Sequence, residues 1–100
     1  MNLEQLSRAL LKTHTELGLD AIDLMLLHTV TSKLKREGEA TIMPIIDNFE
    51  LTSRATTHAR LKNLIRNGFV GWDGDENNLR VKLLKQGEQY TKLEQLLSTI

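Results

Sequence analysis

The sequence predicts a mainly helical α+β domain that contains one β-hairpin. Apolar residues recur in three- and four-residue steps through most of the chain, which is the period of an amphipathic helix. Over residues 69–84 the pattern changes to alternation around a run of turn-forming residues, Asp-Gly-Asp-Glu-Asn-Asn at 73–78. The chain of 100 residues has the length of one domain, and its 26% charged residues are typical of a globular protein.

The first two helices are predicted from their apolar steps and from the residues at their ends. Four leucines in three-, four- and seven-residue steps place a helix over residues 3–17, and Gly18 ends it. Asp20 is a suitable N-cap for a second helix, which ends at Gly38 and is apolar over much of its surface. A helix of this composition is typical of the buried centre of a small domain.

The middle of the chain predicts a short strand and two further helices. Residues 40–42 are a candidate extended segment, and Pro44 suits the first position of a third helix that runs to about Phe49. Ser53 is a suitable N-cap for a fourth helix, which runs to about residue 67 and ends at Gly68.

The remaining elements complete a winged helix-turn-helix. Residues 43–67 form two short helices joined by a tight turn, and residues 69–84 form the hairpin, or wing. Helical steps return over residues 87–100 and predict a last helix. We therefore expect a single winged-helix domain over residues 1–100.

The net charge of zero conceals an uneven distribution of charge along the chain. Residues 51–72 contain four basic and no acidic residues, so this segment carries +4 and the rest of the chain carries −4. An ordinary solvent-exposed helix carries both signs, whereas a segregated basic face is typical of nucleic-acid binding. The fourth helix lies within this segment, and we expect it to bind DNA.

The fourth helix is predicted to present a nearly bare face to the major groove of DNA. Ala55 and Ala59 leave room for the helix to enter the groove and can meet thymine methyl groups. Arg54 and Arg60 suit guanine edges, and Asn63 suits adenine. The other candidates suit phosphate oxygens. The predicted DNA-binding residues are Ser53, Arg54, Ala55, Thr56, Ala59, Arg60, Lys62, Asn63 and Arg66 of the helix, with Arg80 and Lys82 of the hairpin.

Two stretches of this region resemble MarR-type transcriptional regulators. LTSRATTHARLKNLIRNGFV at 51–70 is similar to their recognition helix and first wing strand, and LRVKLLKQG at 79–87 to their second wing strand and the next helix start. The helices at 20–38 and after Pro44 stand in the matching order. The resemblance implies a homodimeric transcriptional regulator that binds a pseudo-palindromic DNA site, and we expect it to act as a repressor. This chain departs from the family in its acidic wing tip at 73–78 and in its short length.

Two apolar seams near the ends of the chain predict a homodimer. Both seams are more apolar than a surface helix of a small monomer requires. A two-fold axis would place the two recognition helices about 34 Å apart, which is one turn of DNA. The predicted interface residues are Leu3, Leu6, Leu10 and Leu17 of the first helix and Tyr90, Leu93, Leu97 and Ile100 of the last.

The sequence gives no support to an enzyme or a cofactor site. The chain has no Cys, and His14, His28 and His58 form no metal-binding motif. No stretch reaches the roughly 20 apolar residues of a membrane span, and the lack of Cys favours the cytoplasm. We therefore expect a cytoplasmic protein without a catalytic site, a metal or a cofactor. The question of a small-molecule effector stays open.

Two other functions remain open at this point. A DNA-binding partition or replication factor of a plasmid or phage would use the same fold in the same way. A winged-helix module for protein interaction would account for the acidic hairpin tip and the zero net charge. Salt-dependent retention on duplex DNA separates this module from both DNA-binding functions.

Overall fold

The computed structural model describes residues 1–73 and 83–100, and within these ranges it contains five helices and one two-stranded antiparallel sheet. The mainly helical α+β class is therefore confirmed. The helices are α1 (Leu3–Leu17), α2 (Ala21–Glu37), α3 (Ile42–Asn48), α4 (Arg54–Arg66) and α5 (Tyr90–Ser98). The strands are β1 (Val70–Asp73) and β2 (Leu83–Gln86).

Reciprocal capping boxes begin the two long helices. At α1, the Asn2 side chain accepts the backbone N–H of Gln5 at 2.8 Å, and the Gln5 side chain accepts the backbone N–H of Asn2 at 2.9 Å. Asp20 and Asp23 form the same arrangement at α2, with distances of 2.8 and 3.2 Å. Each box satisfies backbone donors that have no partner inside the helix. The predicted extents of both helices are confirmed.

The segment between α2 and α3 differs in detail from the prediction. The strand expected at residues 40–42 is reduced to one bridge residue, Thr41, next to a hydrogen bond from the Leu84 amide to the Ala40 carbonyl at 2.7 Å. Helix α3 begins at Ile42, so Pro44 is its third residue and not its first. The N–H groups of a whole first turn lack intrahelical partners, and proline is therefore tolerated at this position as well.

Helix α4 has the predicted cap and the predicted end. The Ser53 side chain accepts the backbone N–H of Thr56 at 3.2 Å. Gly68 follows the helix with φ +83°, a conformation that glycine adopts without steric cost, and the Phe69 amide donates to the Leu64 carbonyl at 2.9 Å. This turn leads the chain directly from α4 into β1.

The hairpin pairs β1 with β2 in antiparallel register, with Val70 opposite Gln86. Gly87, just after β2, lies so close to the end of α4 that a Cβ there would overlap the carbonyl of Gly68. A glycine at this position therefore allows the hairpin to close against α4. The predicted turn, and the part of the second strand expected from Leu79, lie outside the described residues.

The core lies between α2, α3, α4, the sheet and α5. Helix α2 contacts both α4 and β2, and its residues Leu26 and Val30 have no exposed surface, like Leu61 of α4. The expected central position of α2 is therefore confirmed. Helix α1 instead packs chiefly against α5, and its buried residues are Ala9 and Thr13.

Candidate nucleic-acid interface

The exposed side of α4 is the candidate interface. Thr57, Leu61 and Leu64 are the buried residues of this helix and fix which side faces the protein. The Thr57 hydroxyl lies 2.6 Å from that of Thr52, so this buried polar group is hydrogen-bonded. The residues on the opposite side are all exposed, and we call them the outer face of α4: Ala55, Ala59, Lys62, Asn63 and Arg66.

The outer face carries positive charge and no carboxylate. Lys62 and Arg66 form no ion pair with any residue in 1–73 or 83–100. Ala55 and Ala59 occupy the first two turns of the same face with only a methyl group each, so the surface on the N-terminal side of the charged residues is low. The arrangement permits close approach of a polyanion with exposed apolar groups, such as the thymine methyls of DNA.

Two hydroxyl groups lie at the beginning of α4. Besides capping the helix, the Ser53 hydroxyl donates a hydrogen bond to the Thr56 hydroxyl at 3.0 Å. Both side chains are exposed. The two residues expected to contact phosphate are therefore bonded to each other and can still accept or donate a further bond outward.

Arg54 lies on the flank of α4 that faces α3. Its guanidinium forms an ion pair with Asp47 of α3 at 2.6 Å. The side chain of Arg54 is 64% exposed and that of Asp47 is 48% exposed. Exposed pairs of this kind contribute about 0–1 kcal/mol because water screens both charges. Arg54 can therefore exchange its partner at little cost.

Arg60 lies on the opposite flank, which faces the beginning of α2. Its Nη1 donates to both carboxylate oxygens of Asp20, at 2.9 and 2.8 Å, and to Oδ1 of Asp23 at 3.0 Å. The Arg60 side chain is 25% exposed and that of Asp23 is 17% exposed. We call these three residues the Arg60 cluster. The Nε atom of Arg60 is buried without a hydrogen-bond partner in the described part of the chain.

The Arg60 cluster shifts the pKa of two of its members. Hydrogen bonding to Asp20 is the main cause that raises the pKa of Arg60 above its ordinary value, against the opposing effect of burial. Burial also opposes ionisation of Asp20, yet its pKa is lowered because the Asp23 backbone N–H and the Arg60 guanidinium stabilise its carboxylate. The Arg60 and Asp20 groups are therefore held in their charged forms.

The structure thus brings carboxylates against a segment that has none of its own. Asp47 approaches one flank of α4, and Asp20 and Asp23 approach the other. The sequence predicts Asp20 as the N-cap of α2 and places Asp23 in the first turn, but it gives no sign that α4 lies beside them. Arg60 was predicted to read guanine, and in the structure its guanidinium is bound to carboxylates instead.

The predicted dimer residues separate into a buried and an exposed group. Leu93 is only 3% exposed, and Leu17 and Tyr90 pack against the core, which accounts for their apolar character within one chain. Leu93 therefore belongs to the core and is not an interface residue. Leu3 and Leu6 of α1 are 80% and 44% exposed. Of the predicted interface residues that do not pack against the core, Leu3, Leu6 and Leu97 are exposed, and Leu10 and Ile100 are partly exposed.

An apolar groove of about 630 Å³ lies between α1, α2 and the segment after α3. Leu6 and Leu10 form its α1 side, and Met25, which is 50% exposed, lies on its α2 side. Phe49 and Leu51 close the end. The exposed seam of α1 is therefore continuous with a larger apolar surface.

Two predicted DNA-binding residues of the hairpin, Arg80 and Lys82, lie outside the described residues. Over residues 1–73 and 83–100, no three His, Asp or Glu side chains come together as a metal site would require. In the same ranges, no helix combines the length and apolar character needed to cross a membrane. Comparison of the chain with protein-family models, curated proteins and solved structures finds no match.

Proposed function

We propose that the protein is a sequence-specific double-stranded DNA-binding transcriptional regulator, a homodimeric repressor that inserts α4 into the major groove. The outer face of α4 is the observation on which the proposal rests. Its two cations, Lys62 and Arg66, form no ion pair within the described residues. Ala55 and Ala59 keep the surface low, and the Asn63 amide can hydrogen-bond to a base edge. Phosphate contacts position a helix in the groove, and contacts to base edges give it specificity.

The order and packing of the elements support a winged helix-turn-helix. Helix α3 contacts α4 across a short connection, and β1 follows α4 and packs against it. The bridge at Thr41 adds one extended residue beside the hairpin, where the sequence predicted a short strand. This arrangement agrees with the resemblance to MarR-type regulators, in which α4 would be the recognition helix and β1–β2 the wing.

Each exposed residue of α4 has a proposed role. Lys62 and Arg66 contact phosphate oxygens, and Asn63 pairs with an adenine edge. Ala55 and Ala59 pack against thymine methyl groups at the floor of the groove. Arg54 changes partner from Asp47 to the DNA, because its ion pair is exposed and weak.

A second copy of the chain is the proposed occupant of the apolar groove. Leu3 is 80% exposed on α1, about one turn before Leu6, which lines the groove, so the same chain supplies both an exposed apolar side chain and an apolar groove. A two-fold axis makes such a pair of surfaces mutually complementary. In addition, Glu4 and Arg8 form an exposed ion pair on α1, with 2.9 Å between their charged atoms. When the α1 helices of two copies run antiparallel, Glu4 of one copy can pair with Arg8 of the other.

Binding to duplex DNA tests the central part of the proposal. We expect a labelled random duplex to bind the protein with an affinity that falls as salt rises, as measured by fluorescence anisotropy. Lys62→Ala should weaken this binding and reduce the slope of log affinity against log salt by about 1, because one phosphate fewer is neutralised. Lys92→Ala, an exposed lysine of α5, is the matched control and should leave both quantities unchanged.

The outcomes of this titration separate the remaining functions. Absence of salt-dependent binding would contradict DNA binding and would favour the protein-interaction module. If DNA binds, footprinting separates the two DNA-binding functions: protection of one site near a promoter supports a regulator, and extended cooperative protection supports a partition factor.

The dimer is tested separately by sedimentation. Leu6→Lys introduces a charge into the groove, and we expect it to shift the protein from dimer to monomer in analytical ultracentrifugation. Leu11→Lys is the control, because Leu11 is 63% exposed on α1 but does not line the groove. Dimers of equal stability in both variants would rule out this surface as the interface.

A further inference from the structure

We propose that Arg60 is a positioning residue that fixes the angle of α4 against the N-terminus of α2 and does not read bases. Sequence preference then resides in the outer face of α4. This inference rests on the proposed DNA-binding function, because it assigns a role within that interface. It follows from the bonding, the burial and the location of the Arg60 cluster.

The bonding of Arg60 opposes its release toward DNA. Its Nη1 donates to three carboxylate oxygens within 3.0 Å, and the side chain is three-quarters buried. Charge-assisted bonds of this kind are the strongest hydrogen bonds that side chains make. Rotation of Arg60 toward a base would leave Asp23, whose side chain is 17% exposed, without its cation. An uncompensated, mostly buried carboxylate is strongly unfavourable.

The two carboxylates also connect Arg60 to the N-terminus of the central helix α2. Asp20 and Asp23 form the capping box of α2, so their positions are fixed by backbone hydrogen bonds at 2.8 and 3.2 Å. Helix α2 continues into the centre of the core, where Leu26 and Leu27 are buried. Arg60 therefore links α4 to a support that does not move independently of the core.

The location of Arg60 on α4 agrees with this role. Its neighbour Ala59 lies on the outer face and is exposed, whereas Arg60 lies on the flank toward α2. A groove beside the cluster extends from the corner between α1 and α2 to the edge of the outer face of α4. Its lining residues are Gly18, Leu19, Asp23, Thr56, Ala59, Arg60, Asn63, Leu64 and Asn67. The cluster thus occupies the seam between two helices.

The cluster has an electrostatic consequence for DNA binding. Asp20 and Asp23 place two negative charges beside a helix that is proposed to enter a phosphate-lined groove. Arg60 compensates them in part, so its loss would weaken DNA binding even though it contacts no base. An Arg60 variant is therefore expected to lose DNA affinity whether Arg60 positions α4 or contacts a base. Only a measurement of base preference separates these two roles.

Selection of binding sites from a random duplex library separates the two roles. We compare the wild type with Arg60→Met, which keeps a long unbranched side chain in the helix, and with Asn63→Ala. Arg60→Met should bind all sequences several-fold more weakly and should select the same consensus as the wild type. Asn63→Ala should select a consensus that is relaxed at one position. Loss of a guanine from the Arg60→Met consensus would overturn the proposal.

Thermal melting tests the positioning role without DNA. Arg60→Met and Asp23→Asn should each lower the melting temperature, and the double variant should melt close to the less stable single variant, because both changes remove the same bonds. Additive decreases would overturn the proposal. If Arg60→Met does not fold, Arg60→Lys replaces it in the selection of binding sites, since a lysine amine can reach the same carboxylates, and Arg60→Gln replaces it in the melting cycle, since it removes the positive charge. Failure of the wild type to enrich any DNA would refute the proposed function, and the melting cycle would still decide the role of Arg60.

Discussion

The two flanks of α4 each contain an arginine held by a neighbouring helix, but the two arginines differ in what holds them. Arg54 makes one ion pair with an exposed carboxylate of α3. Arg60 makes three hydrogen bonds with two carboxylates of α2 and is largely buried. Because burial removes the competition from water, the second arrangement is structural, while the first can open toward a ligand.

This difference changes how the basic segment of the chain is interpreted. Along the sequence, residues 51–72 carry four basic and no acidic residues. In space, Asp20, Asp23 and Asp47 compensate two of the four cations, and Lys62 and Arg66 remain on the outer face. In the unbound protein, therefore, about half of the positive charges in this segment have no carboxylate partner. We infer that non-specific affinity for DNA is modest and that direct base contacts carry more of the binding.

The largest expected effect is on stability and follows from removing Arg60. Arg60→Ala should reduce the free energy of unfolding by about 2–3 kcal/mol, because it leaves a mostly buried Asp23 carboxylate without a counter-charge. Arg54→Ala should change it by less than about 0.5 kcal/mol, since its ion pair is exposed. Urea unfolding followed by circular dichroism measures both. Equal effects of the two variants would contradict the distinction between the flanks.

The features that could be predicted from the sequence depend on local signals. The leucine steps and Gly18 predicted the extent of α1, Asp20 and Gly38 predicted that of α2, and Ser53 and Gly68 predicted that of α4. Each of these signals acts within about one turn of the helix, so adjacent residues are sufficient to recognise it. The start of α3 was wrong by two residues, because proline is tolerated throughout the first turn and does not by itself mark the first helical position.

The candidate site was predictable only in part. The exposed face of α4 follows from its apolar period, which is a local property. The Arg60 cluster joins residues that are 37 and 40 positions apart, and no pattern in either segment records their contact. The apolar character of Leu93 was likewise visible, but whether it serves a core or an interface depends on how α5 packs.

A smaller effect is expected on DNA affinity from releasing Arg54. Asp47→Asn removes the carboxylate that binds Arg54, and it should raise the affinity for duplex DNA by about two- to five-fold, a gain of less than about 1 kcal/mol. The free energy of unfolding should remain within about 0.5 kcal/mol of the wild type. Fluorescence anisotropy at fixed salt measures the affinity. The double variant Asp47→Asn with Arg54→Ala is the control, and a gain that persists in it would show that Arg54 is not the residue released.

The smallest expected effect is a change of stability at low pH that arises from Asp20. The pKa of Asp20 is lower in the folded protein than its ordinary value of 3.8, so the folded state favours the carboxylate. Its contribution to the free energy of unfolding is therefore fully present at pH values above the ordinary pKa. It is lost as the pH falls further, through the lowered pKa of the folded state. Asp20→Asn keeps a good N-cap for α2 while removing the charge, so it isolates this contribution from helix capping. The wild type should be more stable than Asp20→Asn at neutral pH, and the difference should narrow below about pH 4 in urea unfolding experiments. A difference that stays constant down to about pH 2 would mean that the charge of Asp20 does not stabilise this flank. In that case, Asp23 alone would account for the stronger binding of Arg60 compared with Arg54.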